Sequence, residues 1–512
     1  MLFYNLYGTN WGIVLALTVL VGVQAFPGAN IALAVLIGSA FVLIDALLSS
    51  MVSVAIPRSV PNYVMASYTI HPGYGFVLNW VQLLQVSFAI GLYAALTVNY
   101  AASAAFATLG LLLNNQTLTA IGSAASTPFW TFVFGSVIIW FSIAIFLLGL
   151  KAVRVFIKII FVPAVLGTVI ALALLLVNTH ASFVTRFNSI LAPYTHTQDS
   201  YDQIIQTAKS LGFSIPKESL LASIMALPLG FYAFLGYNQS IVVSGEIKNI
   251  SRTQPLAIIL AFALTTFVYT LAFERFYQVV GWDFTNAVGY LFYVEPSKYP
   301  LPVPPVLNFF AGLLTSNAVL NVLMGISFIL WVFMLVGPLY LITSRYMFSW
   351  SFARIMPEFI SRVDKRGSPW VAVLISGVLS QVFLTLYVYT TLLSIVNYTL
   401  LFATFSFLYG LVFMLFPYLK KQDFERSPSF VKAKIGSVPL MTIFAVIDTL
   451  FFGFIIYFSV INPAFSGPIG LSSYSMIIAL YVTGVVAYLI SSALRKRQGI
   501  SFKQVWSEIP PE

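Results

Sequence analysis

Two strings of residues interrupt otherwise apolar runs with groups able to hold a small polar molecule. Tyr7-Gly8-Thr9-Asn10-Trp11-Gly12 lies near the N-terminus, and Phe234-Leu235-Gly236-Tyr237-Asn238-Gln239-Ser240 lies near the middle of the chain. Gly and polar residues gathered in one short stretch of an apolar segment mark backbone that leaves the helix, a costly event in lipid unless something repairs the hydrogen bonds. Freed N–H groups and positive helix ends attract a carboxylate, while freed carbonyls attract an ammonium or another cation. That set of poles suits a zwitterion. The competing reading is close packing, because small residues also let membrane helices approach one another. Two carboxylic acids sit in equally apolar surroundings, Asp45 in Leu43-Ile44-Asp45-Ala46-Leu47 and Asp448 in Val446-Ile447-Asp448-Thr449. A charge at the bilayer centre costs roughly 2.5–3.5 kcal/mol on insertion scales, so each asks for a reason. Asp45 reads as a proton carrier or as a carboxyl bonded to a neighbouring helix. Asp448 reads as a helix-packing or dimer contact. Glu246 and Lys248, closing the second string's segment, read as a cytoplasmic gate or as solvated terminal charges.

The elements that must position these groups follow from composition. Of 512 residues only 8% are charged, against about 25% in ordinary globular proteins, and 60% are hydrophobic, 46 of them Phe. So few charges cannot cover a soluble fold of this length, and the apolar blocks reach the roughly 20 residues that a helix needs to cross a bilayer. The expected fold class is therefore an all-α polytopic membrane protein. Twelve crossing helices are predicted, at 3–26, 30–55, 74–107, 129–150, 155–177, 220–245, 256–280, 316–344, 369–388, 392–417, 438–460 and 474–494. With no Cys and only His71, His180 and His196, widely separated, thiolate and zinc chemistry drop out; no metal and no cofactor is called for. The formal charge of +10 lies between apolar blocks rather than on a soluble basic face, so nucleic acid is not a partner. The first block lacks the basic region of a cleavable signal peptide.

Those basic residues sort by side. Twenty of the 25 Lys and Arg fall in the loops after even-numbered helices and in the tail. Arg186, Lys209, Lys217, Arg275 and Lys298 fall on the other side, so the positive-inside rule places both termini in the cytoplasm of a cell-membrane protein. The chain divides into 1–177, an outer loop at 178–219, 220–417, a final pair of helices within 438–494, and a cytoplasmic tail at 495–512. The two interruptions then occupy the first and sixth crossings, corresponding members of two five-helix halves of opposite orientation. Gly-interrupted segments at matching places in inverted halves point to a transporter's binding site.

Further strings carry a family resemblance: Phe26-Pro27-Gly28-Ala29-Asn30, Ile56-Pro57-Arg58-Ser59, His71-Pro72 with Gly75-Phe76, Gly236-Tyr237-Asn238, Gly245-Glu246-Ile247-Lys248-Asn249, Ser344-Arg345-Tyr346-Met347-Phe348 and Ala353-Arg354-Ile355-Met356-Pro357. Their order and spacing resemble the amino acid, polyamine and organocation (APC) transporter superfamily over nearly the whole chain. The resemblance implies a five-plus-five inverted-repeat core of the leucine-transporter type with two extra C-terminal helices, and alternating access around a central site. It implies that Thr9, Asn10, Trp11 and Gly12 receive a substrate's carboxylate and amine, and that Ala233, Phe234, Gly236, Tyr237 and Asn238 complete the pocket, with Phe234 and Tyr237 as aromatic gate or wall. In such a core the eleventh helix is peripheral. A sodium site of the related type draws on hydroxyls of the eighth helix, for which Thr343 and Ser344 are available; ordinary backbone capping is their alternative. Proton-coupled relatives carry a Lys midway along the fifth helix, but that position here is near Pro163-Ala164. Proton coupling or exchange is favoured over sodium, with Asp45, Thr343 and Ser344 as coupling candidates.

The sequence also departs from the family pattern. The usual Gly-x-Gly-Ile reads Asn10-Trp11-Gly12-Ile13, a common Glu is Met51, and the usual Ser-Gly-Gly is Ser59-Val60-Pro61. These changes bear on substrate more than on fold. The expected function is secondary transport of an amino acid or related amine. A sensor or scaffold that keeps the fold without transporting is the alternative. An enzyme would need acid, base or metal groups gathered on one loop face, and the loops offer no such set. A homo-oligomer remains open.

Overall fold

The computed structural model describes residues 1–390, 398–461, 471–500, 502–506 and 508–509. The start of the tenth predicted crossing (392–397), part of the 438–494 segment and the end of the tail lie outside the described residues. Among the described residues, eleven helices are long and apolar enough to cross a bilayer. We number them with the interrupted segment 220–246 as span 6. Spans 1 to 5 are Leu2–Ala25, Ile31–Ala55, Pro72–Leu112, Pro128–Leu147 and Leu150–Val177. Spans 7 to 12 are Ile250–Val280, Ala318–Phe352, Trp370–Tyr389, Tyr398–Leu419, Leu440–Ile461 and Ser472–Arg497. The chain is an all-α polytopic membrane protein; its only described strands are the two-residue pair Lys434–Ile435 and Val438–Pro439 in a cytoplasm-assigned loop.

Local chemistry sets the helix ends. Asn30 begins span 2 by accepting from Leu33 N at 3.1 Å, after the turn at Pro27 and Gly28. Such capping satisfies amide groups that a first helical turn leaves unpaired. His71 begins span 3 in the same way, its Nδ1 accepting from Gly73 N at 3.1 Å ahead of Pro72 at the first helical position. This histidine is structural. Span 8 runs on to Phe352, well past the predicted end at 344, and its Arg345 pairs with the half-exposed Glu246 at the end of span 6.

Burial separates core from rim. Of the apolar window in span 1, 83% is buried, against 17% in span 12, so span 1 is central and span 12 meets lipid. Span 4 likewise presents Phe129, Phe134, Val137 and Phe141 outward. Span 2 packs along span 7, span 3 along span 8, span 4 along span 9, and span 10 along span 11.

The predicted outer loops carry helices of their own, at His180–Thr195, Ser200–Ser210, Trp282–Tyr293 and Leu307–Leu313. Tyr201 stacks on Phe284 with ring centroids 4.5 Å apart and donates to Val280 O at 2.9 Å, while Phe183, Phe187 and Phe310 pack around the pair. The end of the bundle that carries these helices is thus filled by a packed aromatic cluster.

Candidate functional site

Spans 1 and 6 both break. Span 1 is two helices, Leu2–Gly8 and Trp11–Ala25, joined through Asn10 in a left-handed conformation at φ 43°. Asn tolerates that region better than most residues. Its side chain then serves the second helix, Oδ1 accepting from Ile13 N at 3.2 Å. Span 6 comprises Leu220–Met225 and Leu227–Tyr232, then a run of turns, then 3-10 turns at Gln239–Val242 and Ser244–Glu246. Pro228 inside the segment and Gly236 at φ 99° explain why it never forms one long helix.

The two breaks touch. A Cβ on Gly236 would run into the backbone of Gly8, and one on Gly8 would meet the carbonyl oxygen of Gly236. Only glycine at both places permits this approach. Asn5 extends the contact by accepting from Ser240 N at 2.9 Å. Gln254 of span 7 braces it from behind, donating to Ser240 Oγ at 2.9 Å.

Beside the contact lies a cavity of about 190 Å³, enclosed by spans 1, 2, 3, 6, 8, 10 and 11. Gly236, Tyr237, Asn238 and Gln239 line it from span 6, and Asp45 and Ser49 from span 2. Tyr237 donates its hydroxyl hydrogen to Asp45 Oδ2. Asn238 donates to Ser49 Oγ at 3.0 Å, and Ser49 Oγ approaches Asp45 Oδ1 at 3.5 Å, a long contact. Gln82 of span 3 accepts from Tyr409 of span 10 at 3.1 Å on the opposite wall. Larger hollows exist elsewhere, about 630 Å³ under the outer loop around Lys217 and about 540 Å³ on the apolar flank of spans 3 and 4, but neither reaches a break.

Four of the sequence-predicted residues therefore meet at the cavity: Asp45, Gly236, Tyr237 and Asn238. The others stand behind it. Thr9 donates to Leu6 O at 2.8 Å, and its carbonyl, freed by the break, accepts from Tyr269 of span 7 at 2.7 Å. Trp11 turns away, donating to Thr265 Oγ1 at 3.1 Å and packing on Trp331 at 5.5 Å. Gly12 faces the Trp331 side chain. Ala233 is buried, and Phe234 packs between Phe262 and Tyr269, at 5.9 and 5.8 Å. Thr343 donates to Leu339 O and Tyr340 O of its own helix, and Ser344 to Leu341 O, the capping role weighed against sodium. Near Pro163, the carbonyl of Ala164 accepts from Ser327. Among the described residues no His, Asp and Glu group could hold a metal ion.

The sequence places Asp448 at a helix-packing or dimer contact, and the structure sets it on the cavity wall. It lines the same cavity as Asp45, because span 11 packs on span 2 through the stacked pair Phe41 and Phe451, 4.3 Å between centroids. These rings stand about one helical turn from the two aspartates and so bring them to one level. The available signal was the lone Asp in an apolar run, equal in span 11 to that in span 2.

A family model described as amino acid permease matches residues 6–488. The chain belongs to the amino acid permease family. No curated protein matches it. Membership makes the permease a member of the APC superfamily and a transporter by family rather than an enzyme by family, and it gives amino acids as the class of small molecule concerned. The two broken spans meet beside the cavity and bring backbone and side-chain groups of this permease together there.

Proposed function

We propose that this permease is a secondary active transporter that moves an amino acid or related amine across the cell membrane by alternating access, coupled to protons or working by exchange. The observation that carries this reading is the Gly8–Gly236 contact: two interrupted spans meet backbone to backbone at the edge of a cavity that holds Asp45, Tyr237 and Asn238 among apolar side chains. An interruption in lipid is retained where it serves a site. In this reading the chain divides into inverted halves at 1–177 and 220–417. Both termini face the cytoplasm in this reading, on the strength of the Lys and Arg asymmetry.

Within the site we assign solute contact to Gly236, Tyr237, Asn238 and Asp45. Thr9, Asn10, Trp11, Gly12, Ala233 and Phe234 hold the breaks in place. Asp45, bonded to a hydroxyl on the interrupted segment, is suited to pass a proton as span 6 moves. The test is uptake of labelled amino acids and amines into vesicles reconstituted with the purified permease, with and without a pH gradient. Saturable uptake is the expected result. Binding without uptake or exchange would instead assign a sensor, and neither binding nor uptake across a broad panel would refute the proposal.

A further inference from the structure

The cavity has a charge pattern that an amino acid's carboxylate does not explain. Thirty residues line it; two are aspartates, ten are aromatic, and none is Lys, Arg or His. Asp448 is 95% buried, and no group among the described residues donates a hydrogen bond to it. Its side chain and that of Asp45 line the same cavity. Gln239 supplies a second, independent sign of a missing partner. Its side chain is nine-tenths buried at the cavity wall, and Oε1 has no hydrogen-bond donor. A buried carboxyl on a cavity wall with no donor from the protein leaves its oxygens to whatever fills the cavity.

We infer that Asp45 and Asp448, from spans 2 and 11, form with Tyr237 and Gln239 the seat of an ammonium group, and that the solute carries net positive charge. The inference rests on the reading of this cavity as the solute site. A zwitterion would bring a further negative group beside the two aspartates, with no Lys, Arg or His on the wall to meet it. Neither Thr9 nor Asn10 of the span 1 break lines the cavity, so that helix end supplies no partner there. An organic cation fits better than a bare metal ion, because aromatic faces such as Phe231, Phe402 and Phe452 attract cations and also cover an alkyl chain. The volume, about 190 Å³, is somewhat larger than the roughly 150 Å³ that admits benzene. That suits a short alkyl amine.

Three probes with one four-carbon chain separate the cases: n-butylamine, 1,4-diaminobutane and 4-aminobutanoate, with L-leucine and sodium chloride as further arms. Each is titrated calorimetrically into the full-length purified permease. The two amines should bind, at least about tenfold more tightly than 4-aminobutanoate, as expected for a group paired with a carboxylate. Asp448→Asn should weaken the diamine by at least about tenfold while the melting temperature holds, and Asp45→Asn should do the same. The wild-type ranking needs no variant and stands if either variant misfolds. Tighter binding of L-leucine or 4-aminobutanoate than of the amines would overturn the inference and leave a carrier of zwitterions. Binding of sodium alone, or amine affinity unchanged in both variants, would overturn it too. No binding by any probe overturns it, and uptake of the amino acid panel then shows whether the carrier reading survives.

Discussion

The breaks in spans 1 and 6 look alike as sequence and differ as chemistry. At the first, the interruption spans only Thr9 and Asn10, and two of its groups are held inside the protein: Ile13 N donates to Asn10 Oδ1, and Thr9 O accepts from the Tyr269 hydroxyl. At the second, the chain is irregular from Ala233 to Asn238 and sends Tyr237 and Asn238, with Gln239 beyond them, to the cavity wall. One break is a braced joint, and the other presents functional groups. Under the proposed division into inverted halves, the two do not share the work evenly, and main-chain poles count for less than the side chains that the second break displays.

That contrast can be attacked by substitution. The largest effect is expected from Gly236→Leu, which places a side chain against the Gly8 backbone at a φ that favours glycine; uptake should vanish while the protein still reaches the membrane, measured by vesicle transport beside membrane-fraction yield. Tyr237→Phe removes the hydroxyl that Asp45 accepts. A hydrogen bond to a charged group contributes about 1.5–3 kcal/mol, so solute affinity should fall by roughly ten- to a hundredfold in a binding titration. Tyr269→Phe acts on the other break and should do the opposite kind of damage. It strands the buried Thr9 carbonyl, costing about 1–3 kcal/mol of stability in thermal unfolding, with apparent KM unchanged. Smallest is Asn10→Ala, the loss of a helix cap at about 1 kcal/mol of stability, again with KM unchanged. A rise in KM for either span 1 variant would erase the distinction between the two breaks.

Much of this arrangement could be read from residues alone. Both breaks stand out because Gly, Asn and Thr or Ser gather in runs that are otherwise Leu, Val, Ile and Phe, and lipid tolerates such a cluster only with compensation. The partners of the freed groups could not be read, since Tyr269 and Thr265 lie more than 250 residues from Thr9 and Trp11 and nothing local marks them. Asp448 shows the same limit. An apolar run reveals that span 11 crosses but not which helix it faces, and the stacking of Phe41 on Phe451 is what brings it to the cavity. The π-helical turn at Thr97–Ala102 in span 3 also has no signal, for it contains neither Gly nor Pro. Span 8 was predicted to stop before Arg345 because a charge normally ends a crossing, but the helix continues and Arg345 pairs with Glu246.

The permease contains no cysteine, so single introduced cysteines report solvent and solute without background. Asn238→Cys and Thr9→Cys, each treated with a cationic methanethiosulfonate with and without a saturating mixture of amino acids and amines, compare the two breaks directly. Labelling at position 238 that the mixture suppresses, beside no labelling at position 9, is the predicted result. Solute-protected labelling at position 9 with none at position 238 would contradict the account.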